Sequence, residues 1–247
     1  MQAPSAAQLI AMWERGARQP WVDRALTLVS ACHPELTDSG LRALTVGERD
    51  ADLLALREQI FGRSLNSFAE CPHCRARLEF SVDVNDLRAG FAGFSNTASA
   101  SPADLMLDDI RVRFRRFSSE DLQAAARCAD VADARRVLLQ RCVVDARRNG
   151  EPLAAADLPP ACVEALSSRL ALLDGAADIA LDLRCVACHH AWQLTLDIVR
   201  FLWAEVNALA KSYLNDVHTL AWAYGWREAD ILAMSPARRQ FYLERVS

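Results

Sequence analysis

The stretch that decides the fold is ECPHCRARLEFSVDV at residues 70–84, where a Cys-x-x-Cys pair precedes a strand-like alternation. Leu78, Phe80 and Val82 recur at every second position, which is typical of a strand with one buried face. A tetrahedral metal site needs four ligands, and this stretch offers two cysteines. It therefore predicts either a second cysteine pair elsewhere in the chain or a redox-active pair.

A second stretch, RCVACHHAWQLTLDI at residues 184–198, repeats both the cysteine spacing and the alternation that follows it. Each stretch also closes on an aspartate and an aliphatic residue, Asp83–Val84 in the first and Asp197–Ile198 in the second. Two such knuckles facing each other supply four thiolates to one tetrahedral ion, and a closed four-sulfur site favours structural zinc. The sequence therefore predicts one zinc ion as cofactor, with the ligands Cys71, Cys74, Cys185 and Cys188.

Residues 75–184 separate the two pairs, whereas a simple zinc ribbon has about 15–20 residues between its knuckles. Two other interpretations stay open: unrelated turns with free thiols, and a thioredoxin-like redox pair. A redox pair is expected to begin a helix, where the dipole lowers the thiol pKa, whereas these pairs begin strands. His73, His189 and His190 stand in or beside the knuckles and offer alternative ligands.

The predicted fold class is mainly α with a small β zinc ribbon (α+β), in which a split CxxC…CxxC ribbon carries an inserted helical subdomain. The small, polar stretch at 89–102 is interpreted as a linker into that insert. The predicted regions are N-terminal helices at 1–66, the split ribbon at 67–84 plus 180–197, an inserted strand-and-helix subdomain at 85–179, and C-terminal helices at 198–247.

Helix boundaries are marked by capping residues. Thr45 and Gly62 enclose one predicted helix, and Ser118 with Asp121 resembles a capping box that starts another, extending to about residue 145. A long helix runs from Val199 to Gly225, since apolar residues recur there in steps of three or four. Ser235 and Pro236 suit the start of a final helix.

Residues 110–115 alternate apolar side chains with Arg111, Arg113 and Arg115. These arginines could dock an acidic surface or a phosphate, or they could line a solvated edge strand whose charges resist aggregation. The C-terminal helix–turn–helix could also bind nucleic acid, with Arg238 and Arg239 contacting phosphates. A net charge of -4 and a pI near 5.8 disfavour this alternative function, a nucleic-acid-binding zinc-ribbon regulator.

Motifs of enzymes and membrane proteins are missing from the sequence. There is no GxGxxG after a strand, no GxxxxGK[ST] and no nucleophile elbow, so we expect no enzymatic activity and no small-molecule substrate. No signal peptide and no apolar run of about 18 residues is present. We therefore expect a cytoplasmic protein with reduced cysteines and no membrane contact.

Five stretches of the chain are informative together: TVGERDADLLALREQIFG, CPHCRARLEF, DIRVRFRRFSSEDL, LRCVACHHAW and VHTLAWAYGWREADILAMSPARRQFYLERV. They resemble a family of small proteins encoded beside the baseplate genes of contractile phage tails and related contractile injection systems, akin to the T-even phage baseplate hub-assembly proteins. The resemblance implies a non-enzymatic assembly factor or minor baseplate component whose partners are baseplate or tail structural proteins. It also implies that the protein acts in the cytoplasm, and either leaves after assembly or stays in the particle.

Partner binding is predicted for the C-terminal helices, because aromatic and arginine side chains dominate interface hot spots. Tyr224 falls on the apolar stripe of the long helix, so among these residues it is expected to be buried. The candidate contacts are Trp222, Tyr224, Trp226, Arg238, Arg239 and Tyr242.

Overall fold

The structure, a computed structural model, describes residues 3–91 and 102–246 and has the predicted mainly helical α+β fold. Of the predicted linker at 89–102, residues 92–101 lie outside the described residues. The helices are α1 (Ala6–Gly16), α2 (Trp21–Val29), α3 (Asp38–Ala43), α4 (Val46–Phe61), α5 (Val84–Phe91), α6 (Ser119–Ala125), α7 (Val131–Cys142), α8 (Pro160–Leu173), α9 (Ile198–Tyr224), α10 (Glu228–Leu232) and α11 (Pro236–Leu243). The strands are β1 (Ser64–Glu70), β2 (Arg77–Asp83), β3 (Ala103–Leu107), β4 (Ile110–Phe114), β5 (Val143–Arg148), β6 (Glu151–Pro152), β7 (Ala180–Arg184) and β8 (Ala191–Thr195).

The predicted helix boundaries at 45–62 and in the C-terminal region are confirmed. Thr45 caps α4 in a capping box with Glu48, and Gly62 ends that helix with a φ of 84°. Gly225 ends α9 in the left-handed conformation, which costs a residue without a Cβ little. The Ser235 hydroxyl accepts from the Arg238 backbone N–H and caps α11, whose first residue is a proline.

Two antiparallel hairpins carry the cysteine pairs, and each leads directly into a helix. β1 pairs with β2, and β7 pairs with β8. Asp83 accepts from a backbone N–H in the first turn of α5, and Asp197 does the same for α9. The first residues of these helices, Val84 and Ile198, are both buried in the main core. The matched aspartate–aliphatic ends seen in the sequence are therefore helix starts, although α5 itself was not predicted.

The insert between the hairpins builds a sheet of order β3-β4-β5-β6 over its own apolar core. Ile110, Val112 and Phe114 are buried there, as their alternation predicted. The edge-strand interpretation is wrong, because β4 lies between β3 and β5. The single helix expected from 119 to about 145 is also wrong: α6 ends at residue 125, Asp130 caps the separate α7, and residues 143–148 pair with β4 as β5.

The insert is joined to the N-terminal helices through buried polar contacts. The Val46 backbone N–H donates to the Phe117 carbonyl oxygen (2.9 Å), so the starts of α4 and α6 lie side by side. Asp174, at the end of α8, accepts from the Thr45 hydroxyl (3.3 Å) and from the Gly47 backbone N–H (3.1 Å). These contacts fix the insert against α4, and thereby against the two hairpins.

The long helix α9 has two differently packed halves. Its first half buries Leu202, Val206 and Ala210 in the main core, together with α1, α2 and α4. Its second half packs with α10 and α11, around the fully buried Leu220 and Ile231. The C-terminal helices thus form an extension beside the main core.

Gly16 is expected to be essential for the packing of α1 on α9. A Cβ at this position would lie 2.6 Å from two ring carbons of Trp203, and the same ring is held on its face by the Arg24 guanidinium (4.4 Å). Gly16→Ala should therefore lower the free energy of unfolding by about 1–3 kcal/mol, measured by denaturant titration. Gly40→Ala is the matched control, because a Cβ there meets Leu36 at an ordinary 3.5 Å and alanine favours helix by up to about 1 kcal/mol. Equal losses in the two variants would contradict the prediction.

Candidate metal centre

Both cysteine pairs lie in tight turns of the same geometry. In the first turn the Cys71 backbone N–H donates to the Ala76 carbonyl oxygen (2.9 Å), and the Arg75 N–H donates to the Cys71 carbonyl oxygen (2.9 Å). The second turn repeats the first of these bonds between Cys185 and His190 (2.9 Å). Arg75 has a φ of 61°, so the turn includes a left-handed residue just after the second cysteine of the pair. The structure therefore presents two equivalent knuckles.

The two knuckles meet at their sulfur atoms. The Cys71 and Cys188 sulfurs are 3.7 Å apart, those of Cys74 and Cys185 are 3.6 Å apart, and all four lie within 4.8 Å of one another. A tetrahedron with metal–sulfur bonds of about 2.3 Å has edges of about 3.8 Å, whereas a disulfide needs about 2.05 Å. The four cysteines are thus positioned to bind one metal ion, and the interpretation as unrelated turns is wrong.

The cluster is closed on one side and open on the other. Cys71 and Cys185 are fully buried and pack with Leu78 and Trp192, whereas Cys74 is exposed. Cys188 is half-buried, so solvent access differs among the four cysteines.

Backbone N–H groups favour the thiolate at the second knuckle. The Cys188 backbone N–H donates to the Cys185 sulfur and lowers the pKa of that thiol. For Cys188 the His190 backbone N–H favours the thiolate, yet burial and hydrogen bonds shared with the other cysteines raise the pKa of its thiol. Metal ligation requires thiolates, so binding of an ion displaces the protons that remain.

The histidines beside the knuckles are outside the sulfur cluster. The His73 and His190 rings stack with centroids 5.6 Å apart, and His190 also stacks on Trp192 at 6.2 Å. The four-residue cluster consists of cysteines alone, so these rings replace no ligand. Both cysteine pairs lie between strands, away from any helix N-terminus that would favour a redox thiolate.

The arginines predicted for one strand face are largely neutralised. Arg111 pairs with an aspartate on the neighbouring strand (3.2 Å), whereas the exposed Arg113 forms no ion pair among the described residues. Arg115 lies beyond the end of β4 and turns to the buried Asp121 (2.6 Å). Two of the three predicted arginines are therefore held in ion pairs and do not form the row of free cations that a phosphate backbone would need.

Arg239, a predicted surface contact, is instead buried, at 5% exposure. Its guanidinium pairs with Asp216 of α9 (3.0 Å) and lies 4.6 Å from the ring centroid of Tyr213. It therefore packs α11 onto α9. The expectation for Tyr224 is wrong in the opposite sense, because its ring is 38% exposed where α9 ends.

The other predicted contacts form one aromatic cluster and one isolated side chain. Tyr224 and Trp226 stack at 4.5 Å, and Tyr242 meets both rings edge-on, at 5.8 Å and 4.8 Å. The Arg238 guanidinium lies over the Tyr242 ring (5.9 Å). Trp222 is 87% exposed and, two residues before Tyr224 on the helix, lies on the opposite face of α9.

Sequence reasoning missed Phe241 and Arg245, which extend this cluster. The Arg245 guanidinium lies 3.3 Å from the centroid of the Phe241 ring, and that ring meets Tyr242 edge-on. The signal was present, since residues 238, 241, 242 and 245 follow the i, i+3, i+4, i+7 spacing of one helix face.

No protein-family model, curated protein or solved structure matches this chain. Among the described residues, no helix is both long and apolar enough to cross a membrane.

Proposed function

We propose that the four cysteines hold one structural zinc ion. The support is a donor set of four soft sulfurs at tetrahedral spacing, held by two rigid turns. Zinc bound in this way supplies folding free energy to two hairpins that have little core of their own. Four protein ligands leave no open coordination position, so the role is structural.

Protein purified without chelator is expected to contain one equivalent of zinc, measured by elemental mass spectrometry. The metal should leave on acidification, because protons compete with the ion for the thiolates. Material that carries iron, or less than about half an equivalent of any metal after gentle purification, would contradict the zinc assignment.

For the whole chain, we propose a non-enzymatic assembly factor or minor structural component of a contractile phage tail or injection-system baseplate, which binds other baseplate subunits. The family resemblance of the sequence suggests the system. The observation that carries a binding role is the exposed aromatic–arginine cluster on the distal end of α9 and on α11, because side chains of these types dominate hot spots.

The test is co-purification from cells that express the tagged chain together with neighbouring tail genes. We expect one or a few baseplate subunits to co-purify in a defined ratio, identified by mass spectrometry. Trp226→Ala should reduce recovery, whereas Phe68→Ala, which removes an exposed aromatic ring from β1, should leave it unchanged. Recovery of ribosomal and chaperone background alone would overturn the baseplate proposal.

A further inference from the structure

One face of α11 and the turn that follows it carry two arginines with two aromatic rings between them. We name Arg238, Phe241, Tyr242 and Arg245 the arginine–aromatic stripe. Both arginines are exposed, Phe241 is 47% exposed, and Tyr242 connects the stripe to Trp226. The stripe is therefore continuous with the aromatic cluster at the end of α9.

The stripe arginines differ from most arginines of the insert in having no carboxylate partner. Arg245 donates to the Phe241 carbonyl oxygen (2.8 Å), and its guanidinium lies flat on the ring of the same residue, while Arg238 lies over Tyr242. In the described part of the chain, neither forms an ion pair. The nearest acidic residue along the helix, Glu244, accepts from Gln240 instead. Two positive charges therefore remain available to a partner.

The platform under the stripe is rigid. The buried pair Arg239–Asp216 holds α11 on α9, and Ser235 caps the start of the helix. Contacts with aromatic rings restrict both exposed guanidinium groups before any partner arrives. Binding to such a preorganised surface loses less side-chain entropy than binding to free arginines.

We infer that the arginine–aromatic stripe binds an acidic segment of a partner protein, with carboxylates on Arg238 and Arg245 and apolar side chains against Phe241 and Trp226. The inference rests on the proposed binding function and specifies the chemistry of the partner. The two positive charges of the stripe favour a partner with carboxylates, and the exposed rings favour one that also has apolar side chains. A protein segment fits better than nucleic acid, since the chain carries a net charge of -4 and only two free arginines line the stripe.

The test measures fluorescence anisotropy with the full-length protein and three labelled probes. The first probe is a short helical peptide of leucine and glutamate, the second has every glutamate replaced by lysine, and the third is a thymidine oligonucleotide. The variant is Arg238→Glu/Arg245→Glu. Its matched control, Arg127→Glu/Arg169→Glu, reverses two exposed arginines, one in the turn after α6 and one on α8, that also have no ion-pair partner among the described residues. Circular dichroism checks that both proteins fold.

We expect the glutamate peptide to bind at least about tenfold more tightly than the lysine peptide, and the stripe variant to lose about tenfold or more of that affinity. The control should stay within about twofold of the wild type. Equal binding of the two peptides, an unchanged stripe variant, or an oligonucleotide that binds through the stripe as tightly as the glutamate peptide would each overturn the inference. Co-purification of tail subunits tests the proposed function independently, so either can fail alone.

Discussion

Cys185→Ser is expected to abolish metal binding and to unfold the two hairpins. The Cys185 sulfur is fully buried and lies 3.6 Å from that of Cys74, so its loss leaves three thiolates and an open coordination position. Structural zinc contributes about 10–16 kcal/mol in small zinc-binding peptides, which matches or exceeds the total stability of a typical domain. A loss of only about 4 kcal/mol would lower the melting temperature of a chain of this size by roughly 8–16 °C. Elemental analysis and calorimetry measure the two effects.

Cys128→Ser is the control for this experiment. Cys128 is a partly buried cysteine outside the four-sulfur cluster, and its thiol makes one weak contact, with the Ala124 carbonyl oxygen (3.7 Å). The control should keep a full equivalent of metal and nearly all of its stability. If Cys185→Ser kept the metal and had the same melting temperature as Cys128→Ser, the four-cysteine cluster would not be what stabilises the fold.

Asp121→Ala is expected to destabilise the chain by about 3–5 kcal/mol, because it leaves two arginine charges without their shared partner. The Asp121 carboxylate is fully buried and accepts from Arg115 (2.6 and 2.9 Å) and from Arg141 (2.6 Å). It also accepts from the Ser118 backbone N–H (2.9 Å) and hydroxyl (3.0 Å), which completes the start of α6. One side chain therefore connects β4, α6 and α7. Denaturant unfolding at neutral pH measures the loss.

The stability that the Asp121 carboxylate contributes is expected to depend on pH. Desolvation opposes ionisation, yet Arg115 and Arg141 hold the pKa of Asp121 well below its usual range. A depressed pKa contributes stability that is complete above about pH 5, where the carboxyl is ionised in both the folded and unfolded states, and is lost as the pH falls below that value. The difference between wild type and Asp121→Ala should therefore be constant from neutral pH down to about pH 5 and shrink in stronger acid.

Glu120→Ala is the matched control, since Glu120 neighbours Asp121 but lies on the surface, 3.3 Å from Arg141. It should change stability by less than about 1 kcal/mol. Equal effects of the two substitutions, or a difference that grows in acid, would contradict the importance of the buried carboxylate.

The four-cysteine cluster could be predicted from the sequence because its two halves follow the same pattern. The same cysteine spacing, the same alternation and the same aspartate–aliphatic ending produce two hairpins with identical turns. Capping residues likewise marked the starts of α4 and α11, because a side chain that caps a helix acts within a few residues of itself. Local signals of this kind need no knowledge of the tertiary fold.

The predictions that were wrong concern side chains whose burial or contacts depend on the tertiary fold. Arg238 and Arg239 are the same residue type in adjacent positions, but the second is buried against Asp216 and Tyr213 of α9, which lie far from it in the sequence. Arg115 continues an apparent strand alternation, but it lies just beyond β4, and its side chain pairs with the buried Asp121 instead of joining the strand face. Tyr224 continues the apolar spacing of α9, but it lies at the end of that helix, beyond the residues that pack in the main core.

The split of the metal ligands between two hairpins makes residues 75–184 a closed ring in the metal-bound protein. The entropy lost in closing a flexible ring rises only with the logarithm of its length, so doubling the ring costs about 0.6 kcal/mol. Homologous chains can therefore gain or lose whole segments between the hairpins at almost constant stability, provided that each hairpin still supplies two cysteine sulfurs to the metal site. Length variation in this protein is expected to concentrate between β2 and β7, and a peptide tag inserted there should be tolerated where one inserted into a hairpin is not.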